Sequence, residues 1–179
     1  LTKLRQLANN PLMVDEDYTG DSGKDRDVMH KLLDVVKEGY KTLVFSQFVK
    51  HLSLIAKKLD EQNIPYLYLD GSTKNRMELV EKFQNEDREK VFLISLKAGG
   101  VGLNLTAAEY VFMLDPWWNP AIEAQAVDRA HRIGQTNTVF SYKFITKNTV
   151  EEKILDLQNT KKQLFNELIT AEEGFMKSL

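Results

Sequence analysis

The sequence predicts an α/β fold of three layers, a parallel sheet with helices on both faces, followed by one further helix. Three observations predict it. Short apolar runs alternate with amphipathic stretches along the chain, which is the pattern of βαβ units. The runs are nearly continuous in apolar character, as strands covered on both faces require. Polar or glycine-rich segments follow the runs: Ser46-Gln47, Asp70-Gly71-Ser72-Thr73, Ser95 to Asn104 and Asp115 to Pro120. In a parallel sheet those segments gather beyond the carboxyl ends of the strands, where such folds bind ligands.

Leu1, Leu4 and Leu7 form a short helical stripe stopped by Pro11. Residues 15–25 are acidic and turn-rich, and read as a linker. Val28, Met29, Leu32, Leu33 and Val36 then mark a helix that Gly39 stops. Thr42 to Ser46 is a short buried strand, and Phe48, Leu52, Ile55 and Leu59 give the next helix. Ile64 to Leu69 is a strand, after which Asp70 to Thr73 turns into a helix carrying Met77, Val80 and Phe83. Further strands are predicted at Val91–Ser95, Tyr110–Leu114 and Thr138–Ile145, with a helix capped by Asn119 and opened by Pro120 before the last of them. Thr149-x-x-Glu152 reads as a capping box for a helix carrying Val150, Ile154, Leu157, Leu164 and Leu168 to about Ile169. No element is predicted for Glu172 to Leu179. The expected division is a lead-in helix and linker (1–23), the α/β lobe (24–147), and a C-terminal helix and tail (148–179).

Bulk properties exclude several classes. The chain has 179 residues, 42% of them hydrophobic, and a formal charge of −2, so no global basic field marks a nucleic-acid binder. Any such contact must come from local loops. The absence of cysteine excludes disulfides, a Cys-based zinc site and a thiol nucleophile. His30, His51 and His131 lack metal-ligand spacing. No apolar run approaches the roughly 18 residues of a membrane span, and the first residues do not read as a signal peptide. A cytosolic or nuclear setting is expected. The chain opens on Leu1, so a piece of something longer is also expected.

The richest motif runs from Gln125 to Gln135. On a helix Gln125, Arg129 and Arg132 fall at i, i+4 and i+7 and stack in a line, with Ile122, Ala126, Val127 and Ala130 inward. Two guanidinium groups held this way suit an anion spread over several oxygens, such as nucleotide phosphates; the plain alternative is a solvated basic edge. Gly99, Gly100 and Gly102 let a loop after a strand approach something closely, or simply make a tight turn. Asp115-Pro116-Trp117-Trp118-Asn119-Pro120 places paired tryptophans on a strand-end loop. One tryptophan is expected in the core, the other free to stack on a base or sugar or to seal against another lobe. Ser46-Gln47 and Gly71-Ser72-Thr73 offer groups for a phosphate backbone, or ordinary helix caps. Two look-alikes fail. Gly23-Lys24 has Tyr18 where the first glycine of a phosphate loop belongs, and Asp15-Glu16-Asp17 lies in the linker.

Taken together these blocks resemble the second, carboxy-terminal RecA-like lobe of SWI/SNF-type DNA translocases among the superfamily-two helicases. The matching text is Leu43 to Phe48, Leu69 to Thr73, Ile94 to Leu105, Asp115 to Pro120 and Gln125 to Gln135, in order. Leu4-Arg5-Gln6 to Pro11-Leu12 and Ser22-Gly23-Lys24 look like the family's lead-in to this lobe. The resemblance implies that Arg129 and Arg132 are arginine fingers reaching the phosphates of ATP held with magnesium by another lobe. It implies that Gly100, Gly102 and Gln125 border that cleft. It also implies that Ser46, Gln47, Gly71, Ser72, Thr73, Ser95 and Lys97 grip one strand of duplex DNA, with Trp118 as a groove contact. Thr149 to Ile169 is similar to the brace helix returning to the first lobe. Without a phosphate-loop lysine or acidic box, the chain is expected to be inactive alone. Its expected partners are double-stranded DNA and the N-terminal lobe, with a protein–DNA complex as an expected target. The alternative is a non-catalytic RecA-like module that binds DNA or protein. The compact spacing of the motifs leans toward a bacterial member, in the cytoplasm or nucleoid; a eukaryotic member is expected in the nucleus.

Overall fold

The computed structural model describes residues 1–100 and 102–178. Five strands, β1 (Thr42–Ser46), β2 (Tyr66–Leu69), β3 (Val91–Ser95), β4 (Tyr110–Met113) and β5 (Phe140–Lys143), form one sheet in the order β2-β3-β1-β4-β5. Every pairing is parallel, with Ser46 opposite Ser95 and Phe45 opposite Met113 at the carboxyl rim. Alternate residues of the central strands enter opposite cores. Leu43, Phe45, Phe92, Ile94, Val111 and Met113 belong to one cluster, and Val44, Leu93 and Phe112 to the other. Helices α2 (Gly23–Lys37) and α3 (Val49–Glu61) cover the second cluster, and α4 (Arg76–Asn85) and α5 (Pro120–Asp128) the first. Burying each large side chain stabilises the fold by about 1.5–3 kcal/mol, which is why the apolar runs dictate the sheet.

Several expectations shift at their edges for physical reasons. The second strand starts at Tyr66 rather than Ile64. Pro65 has no N–H to donate, and the Ile64 amide donates to the Leu59 carbonyl at the end of α3. The supposed linker ends early. Ser22 caps α2 by accepting from the Asp25 amide, and Lys24 and Asp25 are buried in its first turn. Gly39, with φ +85°, ends that helix as expected. The turn after β2 does not run directly into a helix, since α4 begins at Arg76.

The short helix α1 (Thr2–Asn9) packs on a face the leucine stripe does not foretell. Leu1, Leu4 and Leu7 are exposed, whereas Arg5, Ala8 and Asn9 are buried. The final helix, α6 (Val150–Ser178), runs 29 residues, well past Ile169. Its start is held by Thr149 accepting from the Glu151 amide. Glu152 does not act as the reciprocal acid of a capping box. Glu151 instead turns inward, accepting from the Thr146 amide at 2.9 Å and from Lys24 at 2.7 Å.

Candidate functional site

The Gln125–Gln135 segment begins as the sequence predicts. Asn119 accepts from the Ala121 amide at 3.0 Å, and Pro120 fills the first helical turn. The helix then stops at Asp128, so Arg132 lies beyond it and the i, i+4, i+7 alignment does not hold. Tertiary donors take the carbonyls that would continue the spiral. The Leu105 amide donates to the Arg129 carbonyl at 2.9 Å, and Gln135 Nε2 to the Ala130 carbonyl at 3.1 Å. Gln135 also donates to the Thr106 and Ala108 carbonyls, and Gly134 turns the chain at φ +101°.

The two arginines nevertheless meet. Gln125, Asp128, Arg129, His131, Arg132 and Ile133 line one open depression of about 610 Å³. Arg129 is half-buried, with its Nε enclosed, and shares a narrow cleft with Phe45, Leu96, Gly99 and Ile122 of the core. Arg132 is exposed, and its Nη1 donates to the Gly102 and Leu103 carbonyls at 3.2 Å each. Gly102 makes this possible at φ +62°. Gly100 closes a short 3-10 turn, Ala98–Gly100. Gly99 touches the core so closely that an added Cβ would lie 3.1 Å from Ile94 Cγ2. The glycine loop thus serves tight packing at one residue and an unusual backbone at another. Asp128, His131 and Ile133 are lining residues that sequence reasoning did not single out; adjacency to the arginines was the available signal.

The carboxyl rim divides the remaining candidates in two. Gly71, Ser72 and Lys97 are exposed and Thr73 is half-buried. Asp70 organises this turn. Its Oδ1 accepts from the Ser72 amide at 2.8 Å and the Ser72 hydroxyl at 2.6 Å, and its own amide donates to Thr73 Oγ1 at 2.9 Å. These bonds, the Ser72 hydroxyl foremost, hold the Asp70 carboxyl below its ordinary value. Ser72 and Thr73 therefore shape a turn and do not cap a helix. Arg76 ties that turn to the glycine loop, donating to the Thr73 and Ala98 carbonyls at 3.2 Å.

Ser46 and Ser95, by contrast, are buried. The Ser46 hydroxyl donates to Asp115 Oδ1 and accepts from the Phe48 amide at 3.0 Å. Ser95 accepts from the Ala98 amide at 3.3 Å. Neither hydroxyl is presented at the surface, because a small polar side chain at the end of a central strand is where the following loop needs an acceptor. Gln47 is engaged as well. Its Oε1 accepts from Arg5 Nη2, and its amide donates to Asp115 Oδ2 at 3.3 Å. Asp115, almost fully buried, is thus the acid that joins the ends of β1 and β4.

Neither tryptophan enters the core. Trp117 and Trp118 are both half-buried, with ring centroids 5.4 and 5.5 Å from the Arg5 guanidinium. Their turn is fixed from outside. Glu123 accepts from the Trp117 amide at 2.8 Å, and Gln158 Nε2 donates to the Trp117 carbonyl. Lys161 donates to the Trp118 carbonyl at 3.2 Å. Lys143 pairs with Glu123 at 2.7 Å behind them.

A buried polar seam holds the two chain ends to this lobe. Lys24 donates to Asn9 Oδ1 at 2.8 Å, to the Leu114 carbonyl at 2.7 Å and to Glu151. Burial pulls its ammonium below the ordinary lysine value, and Glu151 opposes the pull. The Gly23-Lys24 pair is therefore structural, as its lack of a preceding strand requires. Asp25 meets His51 Nε2 at 2.6 Å and Asn10 Nδ2 at 2.6 Å, all buried. Among the described residues no group of three or more acidic or histidine side chains is placed to hold a metal ion. No described helix is long and apolar enough to cross a membrane.

Comparison with known proteins places the chain in a family. The family pattern "Helicase conserved C-terminal domain" matches residues 24–134. An uncharacterized ATP-dependent helicase of Mycoplasma genitalium is 40% identical over 183 residues, covering 100% of this chain and 18% of its own length. The DNA repair protein rad5 of Neurospora crassa is 52% identical over 124 residues, 68% of this chain and 10% of its own length. The mouse helicase-like transcription factor is 47% identical over 80% of the chain and 15% of its own length. The chain thus spans under a fifth of these relatives. The Sulfolobus solfataricus SWI2/SNF2 ATPase core, solved in complex with dsDNA, superposes with a TM-score of 0.77 at 34% identity, covering 99% of this chain and 38% of that one. The C-terminal part of the Fun30 ATPase domain gives 0.71 at 36% identity over 88% of this chain and 53% of that one. The chain belongs to the helicase conserved C-terminal domain family, as a C-terminal RecA-like lobe of the SWI/SNF type.

Proposed function

We propose that this chain is the second motor lobe of an ATP-dependent translocase on double-stranded DNA, and that it is inactive without the first. The carrying observation is that Arg129, half-buried, and Arg132, exposed, line one open depression with Gln125. Such a pair suits phosphate oxygens brought by another body. An arginine finger supplied in this way is worth about 10³–10⁵ in rate. The magnesium carboxylates and the lysine that tethers phosphates are assigned to the first lobe. Gly102 is assigned to the cleft border because Arg132 rests on the 102–103 backbone, and Gly100 is assigned there as part of the same loop.

The DNA grip is assigned to the Gly71-Ser72-Thr73 turn, Lys97 and the Trp118 edge. Ser46, Gln47 and Ser95 act from beneath by fixing the loops. Backbone contacts carry little base information, so movement along DNA is sequence-independent and sensitive to salt. Closure of the two lobes couples hydrolysis to displacement of one grip past the other. The Rad5-type relatives and the DNA-bound structural neighbour support this reading.

The test is Arg132→Ala in the protein that carries both lobes. DNA-stimulated ATP hydrolysis falls by roughly 10³ or more, while DNA affinity stays near that of the unsubstituted protein. Retained turnover overturns the assignment. The lobe by itself shows no hydrolysis, and adding the first lobe in trans restores it.

A further inference from the structure

Arg5 is a charged residue buried on a helix whose leucines are exposed; it is 9% accessible. Its guanidinium carbon lies 5.4 Å from the Phe48 ring centroid, 5.4 Å from Trp117 and 5.5 Å from Trp118. Its Nη2 donates to Gln47 Oε1, and Asp115 and Glu151 supply the nearby negative charge. Three rings, one amide and two acids from three separate parts of the chain surround this group. Burying an arginine is unfavourable unless its partners compensate. A leucine at this position would pack the helix without that cost, so the stability of α1 does not explain the residue.

We propose that Arg5 is a positioning residue. It sets the planes of Trp117 and Trp118 and the direction of the Gln47 amide, and so shapes the rim that receives the DNA backbone. This rests on the DNA-binding reading of that rim given above. The other hydrogen bonds of the tryptophan turn reach its backbone: Glu123 the Trp117 amide, Gln158 and Lys161 the two carbonyls. The rings are oriented by what lies against them, and the guanidinium is shared by both. A planar cation can face several rings and still donate at its edge. Lysine, a compact point charge, keeps the sign but lacks both the plane and the fork.

Trp117 and Trp118 are the two tryptophans of this chain, so their fluorescence reports the cluster directly. Arg5→Lys preserves the charge beside Asp115 and Glu151, and Phe48→Leu removes one ring while leaving Arg5 in place. In the 179-residue chain, both variants raise acrylamide quenching of tryptophan emission. In the protein carrying both lobes, both raise the DNA concentration for half-maximal ATPase on the order of tenfold, about 1.4 kcal/mol, with the maximal rate retained. Unchanged quenching overturns the proposal, as does increased quenching with unchanged half-saturation. A fall in maximal rate at unchanged half-saturation overturns it too. If the unsubstituted protein's ATPase does not respond to DNA, the DNA-binding reading fails with it, and that is seen before any variant is made. Should Arg5→Lys not fold, Phe48→Leu alone decides.

Discussion

Lys24 and Glu151 form an ion pair between side chains only 2% and 1% exposed, across 127 positions of sequence. The pair fastens the first turn of α2 to the first turn of α6. Removing one partner strands the other charge in the interior. Lys24→Met is expected to lower unfolding free energy by about 3–5 kcal/mol, read from urea denaturation. The double variant Lys24→Met, Glu151→Leu is expected to lose less, because no orphan charge remains. Equal losses would show that packing, not charge, dominates there.

Gly99 is a packing position. A Cβ there would approach Ile94 Cγ2 at 3.1 Å and Phe45 Cε1 at 3.2 Å, and both neighbours are fully enclosed. Neither can retreat easily into a dense core. Gly99→Ala is expected to cost about 1–3 kcal/mol, measured by thermal or chemical unfolding.

Gly102 differs in kind. Nothing lies within 4 Å of an added Cβ, and the constraint is φ +62°. Gly102→Ala is expected to cost about 1–2 kcal/mol from the left-handed backbone alone, and Gly102→Asn less, since asparagine tolerates that region. A loss in Gly102→Asn equal to that in Gly102→Ala would contradict this.

The Asp70 turn carries a pH dependence. Its carboxyl is held below the ordinary value, first by the Ser72 hydroxyl. A depressed folded value means the contribution is complete above the unfolded carboxylate range and is lost as pH falls through the folded one. Protection of the Ser72 amide from hydrogen exchange, taken relative to the intrinsic rate at the same pH and followed by NMR, is expected to fall in acid below that range. Asp70→Asn is expected to abolish the dependence. A Ser72 protection factor that does not change with acid in the unsubstituted chain would refute it.

The sheet was legible because burial on both faces forces continuous apolar runs such as Leu43-Val44-Phe45 and Phe92-Leu93-Ile94. Strand edges were less so. Pro65 was readable as a stop, but the four-residue length of β4 depends on pairing that no local pattern records. The outer turns of α6 lack an apolar period to announce them, because their exposed side chains include Phe175 and Met176 among charged neighbours. At the site, the arginines were legible as residues but not as geometry. The helix end that sets their arrangement depends on the Leu105 amide and on Gln135, which also reaches back 27 and 29 positions to the Ala108 and Thr106 carbonyls. Ser46 and Ser95 read as surface groups because each is the polar residue that ends an apolar strand. Their burial follows from strand register, which pairs them at the centre of the sheet. Arg5 was hidden by its neighbours Leu4 and Leu7, which advertise the wrong side of the helix.

Arg132 comes to rest on two neutral carbonyls of its own chain, those of Gly102 and Leu103. That resting place sets a threshold for any newcomer. A water or an uncharged hydroxyl offers an acceptor no better than the ones already in hand, so exchanging them gains almost nothing. An ionised oxygen bonds roughly twice as strongly and makes the trade favourable. An anion is therefore the newcomer expected to draw the Nη1 group off those carbonyls.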